Sequence, residues 1–294
     1  MSSLLLLLPL MAQVGPASSL PSNASRYASQ LPLEIIEKKD KEDRDRRARE
    51  AQTVAMPSGS RSSAGCMSAV EANPEKSAEL ARSALSDAIG RERVRAGLCL
   101  GVALSDLDRW DEARTAFTNA RDAADPADHA SRARLGAMAG NAALAAGQAG
   151  QALSLLAPAA TEAKIVGDAD LVASIALDRS RALVAVKQPD EAANALAEAR
   201  ATQPDNAQAW LLSATLSRRQ DKLAVAQTQI EKAASLAPQD PEIGLEAGVI
   251  AMLSNNEDAA RRSWDSVVKT APSSDAAVTA KQYLSQLGSP DPAK

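Results

Sequence analysis

The chain of 294 residues holds one histidine, His129, and two cysteines, Cys66 and Cys99. A Ser-His-Asp triad or a His-ligated metal site would have to rest on that single imidazole, with no second one to share the work. His129 lies in Pro126-Ala127-Asp128-His129-Ala130, a loop leading into a helix that starts near Ser131. A capping or surface role is expected for it. No Gly-rich loop is followed by Lys-Ser or Lys-Thr, so a phosphate cradle of the P-loop kind is absent. Carboxylates such as Glu198/Asp205 and Glu257/Asp258 fall at helix starts and turns, where they complement the N-terminal dipole instead of sharing a proton. The expectation is a non-enzyme with no cofactor, no catalytic residue and no metal site.

The cysteines point elsewhere. Their spacing excludes a Cys-x-x-Cys redox or metal motif. In an oxidising compartment two cysteines on neighbouring helices pair, and closing a loop of this length contributes about 3–4 kcal/mol by the chain-entropy estimate. A Cys66–Cys99 disulfide is one expectation; a buried free thiol at Cys99, flanked by Leu98 and Leu100, is the other.

Composition defines the elements that must carry these residues. The chain is 45% hydrophobic but only 2% aromatic, with alanine supplying much of the apolar share. Alanine has the best helix propensity and lets helix axes approach closely. Period-two runs of β-branched residues are missing, so the folded part reads as all-α. A net charge of −4 carries no clustered positive excess, which argues against nucleic acid as a partner.

Leu4–Leu8, Pro9, Leu10 and Met11 form an apolar run too short to span a bilayer, so no stable membrane insertion is expected. The run fits the apolar region of a signal peptide, with residues 1–17 as the leader and cleavage after Ala12 or Ala17, although no basic residue precedes it. A periplasmic or secreted location follows from that reading, and a cytoplasmic one if the leader is not a signal. Residues 18–64 read as a disordered and charged arm. Within it, Glu34–Glu50 balances seven acids against seven bases with no apolar stripe. Residues 65–288 read as the helical body and 289–294 as a tail.

Asn73-Pro74-Glu75 is a helix start, with Asn as N-cap and Pro at the first helical position. The helix is expected over Glu75–Ile89, with Ala78, Leu80, Ala81, Ala84, Leu85 and Ala88 on its inner side and Gly90 at its end. From Ala113 onward a register appears. Ala113/Phe117/Ala120 recurs as Ala152/Leu156/Ala159, Ala192/Leu196/Ala199, Ala226/Ile230/Ala233 and Ala260/Trp264/Val267. The leading alanines are 39, 40, 34 and 34 residues apart, and Pro204, Pro238 and Pro272 repeat at 34. The extra residues of the first two intervals are expected in loops at Asp122–Asp128 and Val166–Asp170. Ser274–Leu287 reads as a terminal helix that caps the stack.

With position 1 set nineteen residues before each leading alanine, the first unit offers Leu100, Gly101, Leu104, Ala113, Phe117 and Ala120. The fourth offers Trp210, Ala214, Ala226, Ile230, Ala233 and Pro238. This pattern resembles tetratricopeptide repeat proteins, whose unit of 34 residues is one helix–turn–helix pair. The resemblance implies a right-handed solenoid of about five such units, a flanking N-terminal helix pair and a C-terminal capping helix. It also implies a protein or peptide partner held in a concave groove lined by the first helix of each unit, through positions 2, 5, 9, 12 and 13. On that basis the candidate contact residues are Arg134, Asn141, Leu177, Arg181, Leu211, Arg218 and Glu242. Asn141 matches a residue of the family's carboxylate clamp, but Ala137, Gln208 and Leu212 depart from it, so that recognition mode is not expected. Two readings remain open: an adaptor or scaffold that uses its groove in the cell envelope, and a purely structural subunit of a larger assembly.

Overall fold

The computed structural model describes residues 69–287. The proposed leader, the arm, Cys66 and the tail lie outside the described residues. Residues 69–72 are helical, and twelve longer helices follow. They are α1 (Pro74–Asp87), α2 (Gly90–Asp106), α3 (Trp110–Ala123), α4 (His129–Ala145), α5 (Ala149–Val166) and α6 (Ala169–Ala185). Then come α7 (Pro189–Thr202), α8 (Ala207–Arg219), α9 (Leu223–Leu236), α10 (Pro241–Leu253), α11 (Glu257–Thr270) and α12 (Asp275–Leu287). No strand occurs among the described residues. Each helix packs mainly on its neighbours in sequence, so the chain is an all-α solenoid of five helix pairs, α2/α3 to α10/α11. α1 precedes the pairs, and α12 packs on α10 and α11 at the far end.

The alanine register is a packing register. Ala113, Ala152, Ala192, Ala226 and Ala260 are each wholly buried. Seven residues further on, Ala120, Ala159, Ala199, Ala233 and Val267 are buried too. Between them stands the large residue, facing a small one on the first helix of its unit. An added Cβ at Gly101 would lie 2.3 Å from Phe117, and at Gly140 it would lie 2.5 Å from Leu156. These glycines exist because the ring or the branched chain occupies the space their own side chains would need. At the end of the stack, Trp264 and Tyr283 stack obliquely with centroids 5.0 Å apart, so α12 closes the last core cluster.

A second register, silent in the sequence reading, closes the turn inside each pair. Asp108, Gly147, Lys187, Asp221 and Asn255, all at position 15, adopt φ between +56° and +75°. In every unit the next residue donates its N–H to the carbonyl five residues back, from Arg109 to Leu104 through to Asn256 to Ala251. The position-15 N–H reaches position 12 in the same way. This is the double hydrogen bond of a Schellman C-cap, repeated five times. The first helices begin differently: the side chains of Asp128, Asp168, Asn206 and Asp240 accept from backbone N–H groups of the first turn. Asn73 caps α1 in the same manner.

Three expectations change. All but one of the extra residues of the first two intervals lengthen helices; the exception adds one residue to the loop 124–128. α2, α4 and α6 have 17 residues, where α8 and α10 have 13, and α5 has 18 where α3, α7, α9 and α11 have 14. Four residues are one more helical turn. The prolines decide where that turn is forbidden. Gln203, Ala237 and Ala271 directly precede Pro204, Pro238 and Pro272, and leave the helix at φ −132°, −139° and −136°. A following proline disfavours α geometry, so the second helix stops there. Second, Gly90 does not end α1. It opens α2 at φ +52°, while α1 stops at Asp87. Third, Leu80 and Ala84 are exposed on α1, where Ala78, Ala81 and Ala88 are buried. The two sets lie on different faces of the helix, and the inner face carries the second together with Leu85, which packs against the core.

Candidate interaction face

First helices of neighbouring units pack directly at two junctions, α4 with α6 and α8 with α10, and α10 packs on the capping α12 in the same way. The second helices instead pack on the first helix that follows. Inner helices that approach more closely than outer ones curve the stack toward the inner side, so the first helices line the concave face. Positions 2, 6, 9 and 13 of each first helix follow one another at i+4, i+7 and i+11 and share one side of it. Unit by unit this stripe reads Arg95/Cys99/Val102/Asp106, Arg134/Met138/Asn141/Ala145 and Ser174/Asp178/Arg181/Ala185. Gln208/Leu212/Thr215/Arg219 and Glu242/Glu246/Val249/Leu253 complete it. Four arginines and four carboxylates share it with small and apolar residues.

The predicted contact residues divide. Asn141 and Glu242 are half-exposed on the stripe. Arg134 is half-exposed and reaches Asp168, the cap of α6, at 3.5 Å. Arg181 donates to Asp178 at 3.0 Å and is largely covered. Leu177, Leu211 and Arg218 are corrected: all three are buried and do not form an open surface. Positions 5 and 12 point into the seam between first helices. Leu211 packs in one cluster with Ile230 and Ile243, and Leu177 in another with Ala209. Arg218 Nε donates to Glu246 Oε1 at 2.6 Å, joining α8 to α10, with the Arg218 side chain only 5% exposed. A guanidinium enclosed this way needs its carboxylate, and the pair ties two units together.

His129 is the first residue of α4, not part of a loop. Its Nδ1 lies 2.5 Å from Glu162 Oε2, while Arg132 Nε donates to Glu162 Oε1 at 2.9 Å. The Arg132 hydrogen bond, and after it the one from His129, hold the Glu162 carboxyl below the usual carboxylate range. The trio ties α4 to α5 on the added helical turn. Similar ties recur at one repeat length, as in Arg114 to Gln148 and Lys164 to Glu198. Cys99, half-buried on the stripe, has its sulfur in a disulfide and is not a free thiol. No group of three or more His, Cys, Asp or Glu among the described residues is placed to hold a metal ion. No described helix is long and apolar enough to cross a membrane.

The register, the Schellman turn in every pair and the curvature toward the first helices define a tetratricopeptide-repeat solenoid. Solved structures share this fold. PilF of Pseudomonas aeruginosa is 15% identical, with 83% of this chain and 99% of that one covered at a TM-score of 0.58. BtubC from P. vanneervenii is 16% identical, with 77% and 96% covered at 0.57. MamA from Desulfovibrio magneticus RS-1 is 15% identical, with 64% and 99% covered at 0.52. At these identities the likeness concerns the fold alone. No protein-family model matches the sequence, and no curated protein matches it.

Proposed function

We propose that this protein is a non-enzymatic interaction scaffold that holds a protein or peptide partner along the 2-6-9-13 stripe of its concave face. The observation that carries the reading is the stripe itself, a line of accessible polar, small and apolar side chains crossing five units, interrupted only where Val102, Met138, Asp178 and Val249 are buried. Arg134, Asn141, Arg181 and Glu242 are the contact residues retained from the sequence, and Thr215 joins them. Leu177, Leu211 and Arg218 act indirectly, by fixing the spacing of the first helices. We further propose export to the cell envelope, with the first 17 residues as leader and Cys66 as the disulfide partner of Cys99.

The test is substitution on the open stripe. Asn141→Arg with Thr215→Arg fills the groove without entering the core. Partners cross-linked to the wild-type chain in its native host should be lost at least tenfold, with melting temperature unchanged. Undiminished capture would remove the groove from the function. Export is read separately, from the mass of the mature N-terminus and from thiol counting on unreduced, denatured protein. A retained Met1 or two free thiols would overturn that part alone.

A further inference from the structure

We infer that the concave stripe is the docking site of this chain's own residues 34–50. Three observations meet there. The first is charge. The stripe carries four arginines and four carboxylates, the arginines spread over the first four units and two of the carboxylates gathered in the fifth. A strongly acidic or basic occupant would gain from one set and be repelled by the other. Residues 34–50 carry seven acids and seven bases, closely interspersed, and so match a balanced stripe as neither kind of polyion can.

The second observation is depth at the centre. Asp178 is fully buried and Arg181 is 11% exposed, though both lie on the stripe. Their neighbours at its edges, Ser174 and Ala185, are exposed. Covering this pair with an apolar peptide would strip the remaining water from Arg181, whereas a mixed-charge segment lays polar groups beside it.

The third is reach and anchorage. Eighteen residues lie between Glu50 and Ala69, a span of about 60 Å when extended. Five helices at the usual packing distance of 8–10 Å make a stripe of roughly 40 Å, so the whole stripe is within range. The Cys99 disulfide lies on the stripe. Pairing with Cys66 brings the chain to the groove sixteen residues after Glu50. A tether of that length sets an effective concentration on the order of millimolar, enough for individually weak ion pairs to hold an occupant. The arm would then be the resident that any outside partner has to displace. The proposal needs the groove, but not the outside partner.

Zero-length carbodiimide cross-linking of the full chain tests it, because the reagent joins only amines and carboxylates already in contact. In the monomer fraction, Lys38, Lys39 and Lys41 should link to Asp106 or Glu242. Reversing Arg44, Arg46, Arg47 and Arg49 to Glu leaves those lysines in place and should cut the links at least fivefold, with the melting temperature of the body unchanged. Links to outer-face carboxylates such as Glu112 and Glu191 at equal frequency would overturn the inference. So would links that join two copies, which would make a second molecule the occupant, or links insensitive to the reversal. Loss of outside-partner capture is measured independently with the Asn141/Thr215 variant, so either reading can fail alone.

Discussion

A Cβ added to Gly248 would lie 2.1 Å from Nε1 of Trp264, whose indole donates to the carbonyl of Leu245 at 3.2 Å. The ring cannot retreat, because Tyr283 stacks on it from α12. Gly248→Ala should therefore destabilise the protein by about 1–2 kcal/mol, the overpacking cost outweighing the gain in helix propensity. Gly150→Ala supplies the contrast. It is helical with nothing within 4 Å of its added Cβ, and should gain up to about 1 kcal/mol. Thermal unfolding followed by far-UV circular dichroism reads both. Shifts of the same sign would refute this account of the packing register.

Lys187 occupies a position that Asp, Gly and Asn fill in the other four units, and it carries φ +62°. A long side chain gains nothing from left-handed backbone, whereas glycine bears no Cβ penalty there. Lys187→Gly should raise stability by roughly 0.5–1 kcal/mol. Lys187→Val, β-branched, should lower it. An unchanged midpoint in chemical denaturation for both variants would show that this turn does not limit stability.

The Arg218–Glu246 pair invites a double-mutant cycle. Glu246→Ala leaves the Arg218 guanidinium enclosed without its anion, and should cost about 3 kcal/mol. Replacing both by Met and Leu should cost much less than the sum of the two single changes. Strict additivity would mean that the two side chains do not act together.

Acid should act through Glu162. Its folded pKa is depressed, so it contributes stability that is present above the ordinary carboxylate range and lost as pH falls through the folded value. Between pH 7 and pH 3 the wild-type melting temperature should fall more than that of Glu162→Gln, with the two curves converging at the acid end. Parallel curves would remove Glu162 from the acid response.

Much of the frame was legible because its signals are local or periodic. Alanines that must vanish between helices cannot be replaced freely, so Ala192, Ala226 and Ala260 spell out the repeat. Pro204, Pro238 and Pro272 announce where a helix has to stop. The left-handed position 15 escaped notice because Asp, Gly, Lys, Asp and Asn share a backbone conformation and not a side-chain class. The contact residues were legible only in part. Helical periodicity assigns Leu177, Leu211 and Arg218 to the first helices but cannot say how sharply neighbouring units converge. That convergence turns positions 5 and 12 from groove into seam. His129 and Glu162 are 33 residues apart, and their meeting depends on an added helical turn that looked in sequence like loop.

That added turn is present on α2, α4 and α6 and missing from α8 and α10. Four residues raise the rim of the trough by about 6 Å along three units and leave it low along two. The trough therefore has a tall end and a short end. A chain laid in it meets different banks when it is turned around, so the scaffold can tell head from tail.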